Sequence, residues 1–168
     1  MRTFSEGQDV DTAQLSAELS SRIRRIVKSN PHQLRVREYE YIKNRIVQSA
    51  PCNMLVFGVG RDTELWRTAN YEGHTAFIES NPEWIESCRR HSPDAVLYEV
   101  SYRTKRYQWQ PHLDRPEPLL LPLYHTLKKV PWNIIFVDAP GGRLDSQPGR
   151  MQSIYTAWCL KPLHFFLH

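Results

Sequence analysis

Nowhere in this sequence do ~18 apolar residues run together, the length a helix needs to cross a bilayer. The opening MRTFSEGQDVDTAQ also holds no apolar stretch of signal-peptide length, so the expectation is a soluble chain. Cysteine is scarce. Cys52, Cys88 and Cys159 are an odd set with no C-x-x-C spacing and no paired histidines nearby, which argues against a disulfide framework and a zinc site and leaves three small buried hydrophobes. No internal repeat and no low-complexity tract occurs. What is present, 168 residues that are 40% hydrophobic and 24% charged, suits one globular domain, which at this size buries ~70% of its unfolded surface and needs no staple.

The net charge of +4 is local in origin. Arg22, Arg24, Arg25, Lys28, Arg35, Arg37, Lys43 and Arg45 are opposed in their stretch only by Glu38 and Glu40. The patch favours anionic partners, but it lacks interleaved aromatics and any reader motif, which disfavours nucleic acid and leaves a solvated helix face or an acidic polymer.

Two helices are expected first. Leu15, Leu19, Ile23, Ile26 and Val27 have helical spacing, with Asp11 as N-cap and Asn30-Pro31 as the stop, after a frayed stretch over residues 1–10. Leu34, Val36, Tyr39, Ile42 and Ile46 mark a second helix from about Gln33 to Gln48. These form a helical extension over 1–50, packed outside the core of an α/β domain over 51–168. From Asn53 the pattern becomes short apolar runs alternating with amphipathic stretches: strands at 53–57, 75–78, 95–100 and 132–137, helices at 62–70, 82–91 and 150–160. Strands separated by helices require crossovers, hence a doubly wound parallel sheet of the Rossmann-like kind. Between Tyr102 and Pro131 the prolines at 111, 116, 118 and 122 indicate an insertion over the sheet's edge or face, with a short helix around 119–128.

LVFGVGRDTELW, residues 55–66, places Gly58 and Gly60 in the first strand-to-helix turn, where glycine lets main-chain N–H groups approach a ligand. The dinucleotide fingerprint requires a third glycine where this chain has Thr63, which disfavours a pyrophosphate and with it a nicotinamide-dependent oxidoreductase. S-adenosylmethionine needs the close approach without the phosphate cradle. Glu79, ending the second strand, stands where an acid accepts from ribose hydroxyls, although a tight turn with a surface glutamate reads the same residues. Asp138 ends the fourth strand in IIFVDAPGG, a place for a general base, a metal ligand or a loop anchor. One carboxylate without partners defines no metal coordination sphere, so no metal ligand is assigned. Arg150 opens the last helix, where the dipole does not favour a cation, and its fork is able to clamp a carboxylate.

NMLVFGVGRDTELWRTAN, GHTAFIESNPEWIE, YEVSYRTK and WNIIFVDAPGGRLDSQPGRMQSIYTA, in that order over Asn53 to Ala157, resemble the plant xylan-biosynthesis family that contains glucuronoxylan 4-O-methyltransferase and the irregular-xylem proteins. The resemblance implies methyl transfer from S-adenosylmethionine to the 4-hydroxyl of glucuronic acid on xylan, in the Golgi, with an acidic polysaccharide as partner. By position, Gly58 and Gly60 would line the donor's methionine part, Glu79 its ribose, and Ser101 and Tyr102 its adenine. Asp138 would serve as base beside the acceptor oxygen, with His74 and His125 as rivals, and Arg150 or else Arg143 would clamp the uronate. The family also implies an N-terminal anchor and further strands beyond AWCLKPLHFFLH, so the chain reads as C-terminally truncated. The run Leu163 to Leu167 either covers the exposed edge of a four-stranded sheet or forms a fifth strand. A non-catalytic role in cell-wall polysaccharide biosynthesis is the alternative.

Overall fold

The computed structural model describes residues 6–31 and 33–168. The first helix, α1 (Glu6–Ser29), starts upstream of Asp11, which therefore lies inside the helix and does not cap it; residues 1–5 of the expected frayed stretch lie outside the described residues. The second, α2 (Val36–Ser49), begins at Val36 and not at Gln33. Its boundary is set by Glu38, whose carboxylate accepts from the Arg35 N–H at 2.6 Å and satisfies a donor at the helix start.

From there the chain alternates as expected: β1 (Asn53–Phe57), α3 (Thr63–Ala69), β2 (His74–Glu79), α4 (Pro82–His91) and β3 (Val96–Glu99). The proline-rich segment follows with α5 (Pro111–Asp114) and α6 (Tyr124–Leu127), then β4 (Ile134–Val137), α7 (Met151–Leu160) and β5 (His164–Leu167). All five strands are parallel in the order β3-β2-β1-β4-β5. The tail is therefore a fifth strand, in register with β4 from Ile134↔His164 to Val137↔Leu167. Lys161, in the left-handed conformation at φ 51°, ends α7 and turns the chain back to the sheet. Phe166 then packs edge-on against Tyr41 of α2, with ring centroids 6.1 Å apart.

The side-chain period of two divides the sheet into faces. Met54, Val56, Phe77, Ile134 and Phe136 point to one side, where they meet Leu19, Ile23, Tyr39, Ile42, Ile46, Leu65 and Trp66 in one cluster. The N-terminal helices thus do not pack outside the core, as their one-sided apolar pattern suggested. They are one of its layers. Lys43, counted with the basic patch, is only 2% exposed, because Glu40, Ser16 and Ser20 satisfy its ammonium at 2.8, 3.1 and 3.2 Å. On the opposite face Leu55, Phe57, Ala76, Ile78, Ile135 and Val137 pack against Leu121, Leu127, Trp132 and Ala157. The proline-rich segment therefore covers this face together with α7, and the bond from the Leu121 N–H to Thr156 Oγ1, 3.0 Å, joins the two.

Candidate functional site

A parallel sheet gathers the C-terminal ends of its strands on one rim, and in open α/β sheets ligands bind outside that rim at the switch point between oppositely directed crossovers. Here the switch lies between β1 and β4. The rim carries Gly58 after β1, Glu79 ending β2, Asp138 after β4 and His168 after β5.

Gly58 has φ +116°, and a Cβ on it would come within 2.9 Å of the Ala139 side chain. Only glycine allows both that conformation and that approach. The Phe57 carbonyl accepts from the Asp138 and Ala139 N–H groups at 3.0 and 2.9 Å, which presses the two turns together. Gly60 differs: a Cβ there would lie 3.2 Å from Asp62 Oδ1 alone, a tight contact, so its absence leaves the space over that oxygen open.

Glu79 is buried, and main-chain donors hold it. Its Oε1 accepts from Ser80 and Asn81 at 2.6 and 2.8 Å, its Oε2 from Val59 at 3.1 Å. The carboxylate thereby ties the glycine turn to the end of β2. With a single main-chain donor on Oε2, acceptor capacity remains for one more hydroxyl. Beyond it a cavity of about 510 Å³ is lined by Ser80, Glu99, Val100 and Ser101. Tyr102 is turned the other way: its ring packs on the α7 face of the sheet and its hydroxyl accepts from Ser153 Oγ at 3.0 Å. Burial pushes that phenol up from its ordinary range.

Asp138 and Arg150 meet, but the fork is engaged. Its NH2 donates to the Asp138 carbonyl at 2.7 Å and lies 4.0 Å from the carboxylate, while NH1 bonds the His168 carbonyl. The Asp138 carboxylate accepts from His168 Nδ1 at 2.6 Å. Arg143 is exposed in the following loop, and among the described residues it has no ion-pair partner. His74 begins β2 on the opposite rim and stacks on Trp132, and His125 is exposed on α6 beside Tyr124. Strand direction alone separates His74 from Asp138.

The structure adds residues that the sequence reading passed over. Asp62, 8% exposed, follows the glycine turn immediately, and Tyr39 of α2 donates to its Oδ2 at 3.1 Å. Burial, and then the nearby charge of Asp138, raise its carboxyl to about 6 against the opposing bond from Tyr39. Burial and the facing Asp62 push the Tyr39 phenol up as well. The one signal available in sequence was a carboxylate two residues after the second glycine. His168 carried none.

Among the described residues no group of three or more His, Cys, Asp or Glu is arranged to hold a metal ion, and no helix is long and apolar enough to cross a membrane. The model of the IRX15/IRX15L/GXM family matches residues 37–117. Over 133 residues the chain is 37% identical to glucuronoxylan 4-O-methyltransferase 1 of Arabidopsis thaliana, an alignment covering 69% of this chain and 47% of that protein. It is 34% identical to arabinogalactan O-methyltransferase 2 of the same plant, covering 74% and 52%. It is also 34% identical to that plant's Protein IRREGULAR XYLEM 15, covering 64% and 39%. The chain thus spans about half the length of the curated relatives it matches. No solved structure matches it significantly.

Proposed function

This chain belongs to the IRX15/IRX15L/GXM family, and from that membership we propose that it is an S-adenosylmethionine-dependent O-methyltransferase of cell-wall polysaccharide, acting on the 4-hydroxyl of glucuronic acid in xylan. The observation that carries the reading is the rim itself, where the Phe57 carbonyl ties the glycine turn to the Asp138 turn through two main-chain bonds. A donor seated on the first turn is thereby beside the carboxylate on the second. The residues fit such a donor: Gly60 keeps the space above its turn clear, and Glu79 retains an acceptor for a ribose hydroxyl. Ser101, with Ser80, borders the cavity next to Glu79 where adenine would lie.

When bound, the donor supplies a methyl group made electrophilic by its sulfonium. The chain's own part is alignment and proton removal, because a sugar hydroxyl is a weak nucleophile. Asp138 takes the hydroxyl proton, and His168 and Arg150 hold that carboxylate and its main chain in place. Arg143, exposed on the adjoining loop and without an ion-pair partner among the described residues, is the cation there for a uronate carboxylate. The exposed members of the basic patch suit an acidic polysaccharide, and the family reading carries a Golgi location with it.

A second reading, a cell-wall biosynthesis protein without transferase activity, is favoured by one observation: both arms of the Arg150 fork are taken by main-chain carbonyls. The test is the purified chain with S-adenosylhomocysteine, with NAD, and with labelled donor and glucuronoxylan or arabinogalactan. The proposal expects thermal stabilisation by S-adenosylhomocysteine alone and label in glucuronoxylan. Binding without transfer to either polymer selects the second reading, and no binding defeats the donor assignment.

A further inference from the structure

Asp62 occupies the N-cap place of α3 yet makes no capping bond. Its side chain turns inward to α2, where Tyr39 holds Oδ2, and the Tyr39 ring stacks on Trp66 with centroids 5.5 Å apart. A carboxylate this deep is ordinarily paired with a cation. Among the described residues Asp62 has no salt-bridge partner, and the charged group acting on it is a second carboxylate, Asp138.

With only neutral donors beside it, Tyr39 and Trp66, the buried carboxylate is left one positive group short. The indole N–H of Trp66, 1% exposed, makes no hydrogen bond of normal geometry but lies beside the Asp62 carboxylate, where a neutral donor favours the ionised form without neutralising it. Asp62 Oδ1 receives no hydrogen bond from another described residue, and it is the atom over which Gly60 leaves room. The glycine turn and an open anionic acceptor without a cation thus meet at the β1 end of the rim.

We propose that Asp62, positioned by Tyr39, is the counter-charge for the cationic amino-acid end of the methyl donor, its Oδ1 accepting from the donor's α-ammonium, so that α2 forms a wall of the cofactor site. The inference rests on the donor assignment made above and extends it to a group and a helix that assignment did not use. It also explains why Gly60 is glycine at a backbone conformation open to other residues.

The experiment separates the two ends of the ligand. S-adenosylhomocysteine carries the ammonium, whereas 5′-methylthioadenosine keeps the adenosine and thioether without it. By calorimetric titration, Asp62→Asn is expected to weaken S-adenosylhomocysteine about ten- to a hundredfold, the range for a lost charge-assisted bond, and to leave 5′-methylthioadenosine within about threefold. Tyr39→Phe keeps the stacked ring and removes only the hydroxyl. It should show the same selectivity at smaller size, and it carries the test if Asp62→Asn does not fold. Equal weakening of both ligands, or of neither, overturns the proposal. A wild-type chain that binds neither overturns the donor reading itself and this inference with it, whereas selective binding by wild type that both variants retain overturns only the inference.

Discussion

His168 Nδ1 lies 2.6 Å from Asp138 Oδ1, one step beyond the Val137↔Leu167 pair that closes the register of β4 and β5. Two adjacent parallel strands deliver an acid and an imidazole to the same point of the rim. The pairing depends on β5, an element that follows the last stretch of resemblance to the family.

If Asp138 removes the hydroxyl proton, Asp138→Asn lowers kcat for methyl transfer by about 10²- to 10⁴-fold, the usual worth of a positioned base. S-adenosylhomocysteine binding should stay near wild type. His168→Ala, which removes a brace and leaves the carboxylate, should cost kcat about tenfold. Steady-state kinetics with parallel titration checks both, and a matching loss of ligand binding in Asp138→Asn would argue for a merely structural carboxylate.

The two glycines should fail differently. Gly58→Ala meets a left-handed φ and the Ala139 side chain together, so urea unfolding is expected to show a loss of about 3 kcal/mol. Gly60→Ala meets only Asp62 Oδ1 at 3.2 Å. Its stability should fall by about 1 kcal/mol or less, while S-adenosylhomocysteine binding weakens. Equal destabilisation by both would show that Gly60 serves the turn and not the space above it.

Asp62 makes a signed prediction for pH. Its carboxyl is raised by burial first and by Asp138 second, from 3.8 to about 6. Between ~pH 4 and ~pH 6 the folded chain therefore binds more protons at this group than the unfolded chain, and the group's contribution to stability falls as pH rises through that window. The cost above it is about 2–3 kcal/mol. Asp62→Asn keeps an acceptor for Tyr39 and removes the charge, so relative to wild type it should gain about that amount between pH 4 and pH 7 in urea titrations. Parallel pH profiles for the two proteins would remove Asp62 from the account.

The order of helices and strands, the parallel sheet, and the residues at the ends of β1, β2 and β4 were all readable from sequence, because apolar runs and amphipathic stretches report locally which faces are buried. Gly58, Glu79 and Asp138 were found in that way, as the residues that follow an apolar run. Two kinds of fact were not readable. The tail could be a cover or a strand, since a run of five residues has no period that separates these, and only docking against β4 makes it β5. The partners of the polar groups were also hidden. Tyr39 reaches Asp62 across 23 positions of sequence, and the Arg150 fork closes on the Asp138 and His168 carbonyls. Such bonds depend on how α2 crosses the sheet and on which strand lies beside β4. Hydrogen bonding between distant segments imposes no spacing on the sequence of either one, so tertiary packing alone decided which carboxylate is buried without a cation and which arginine is already held.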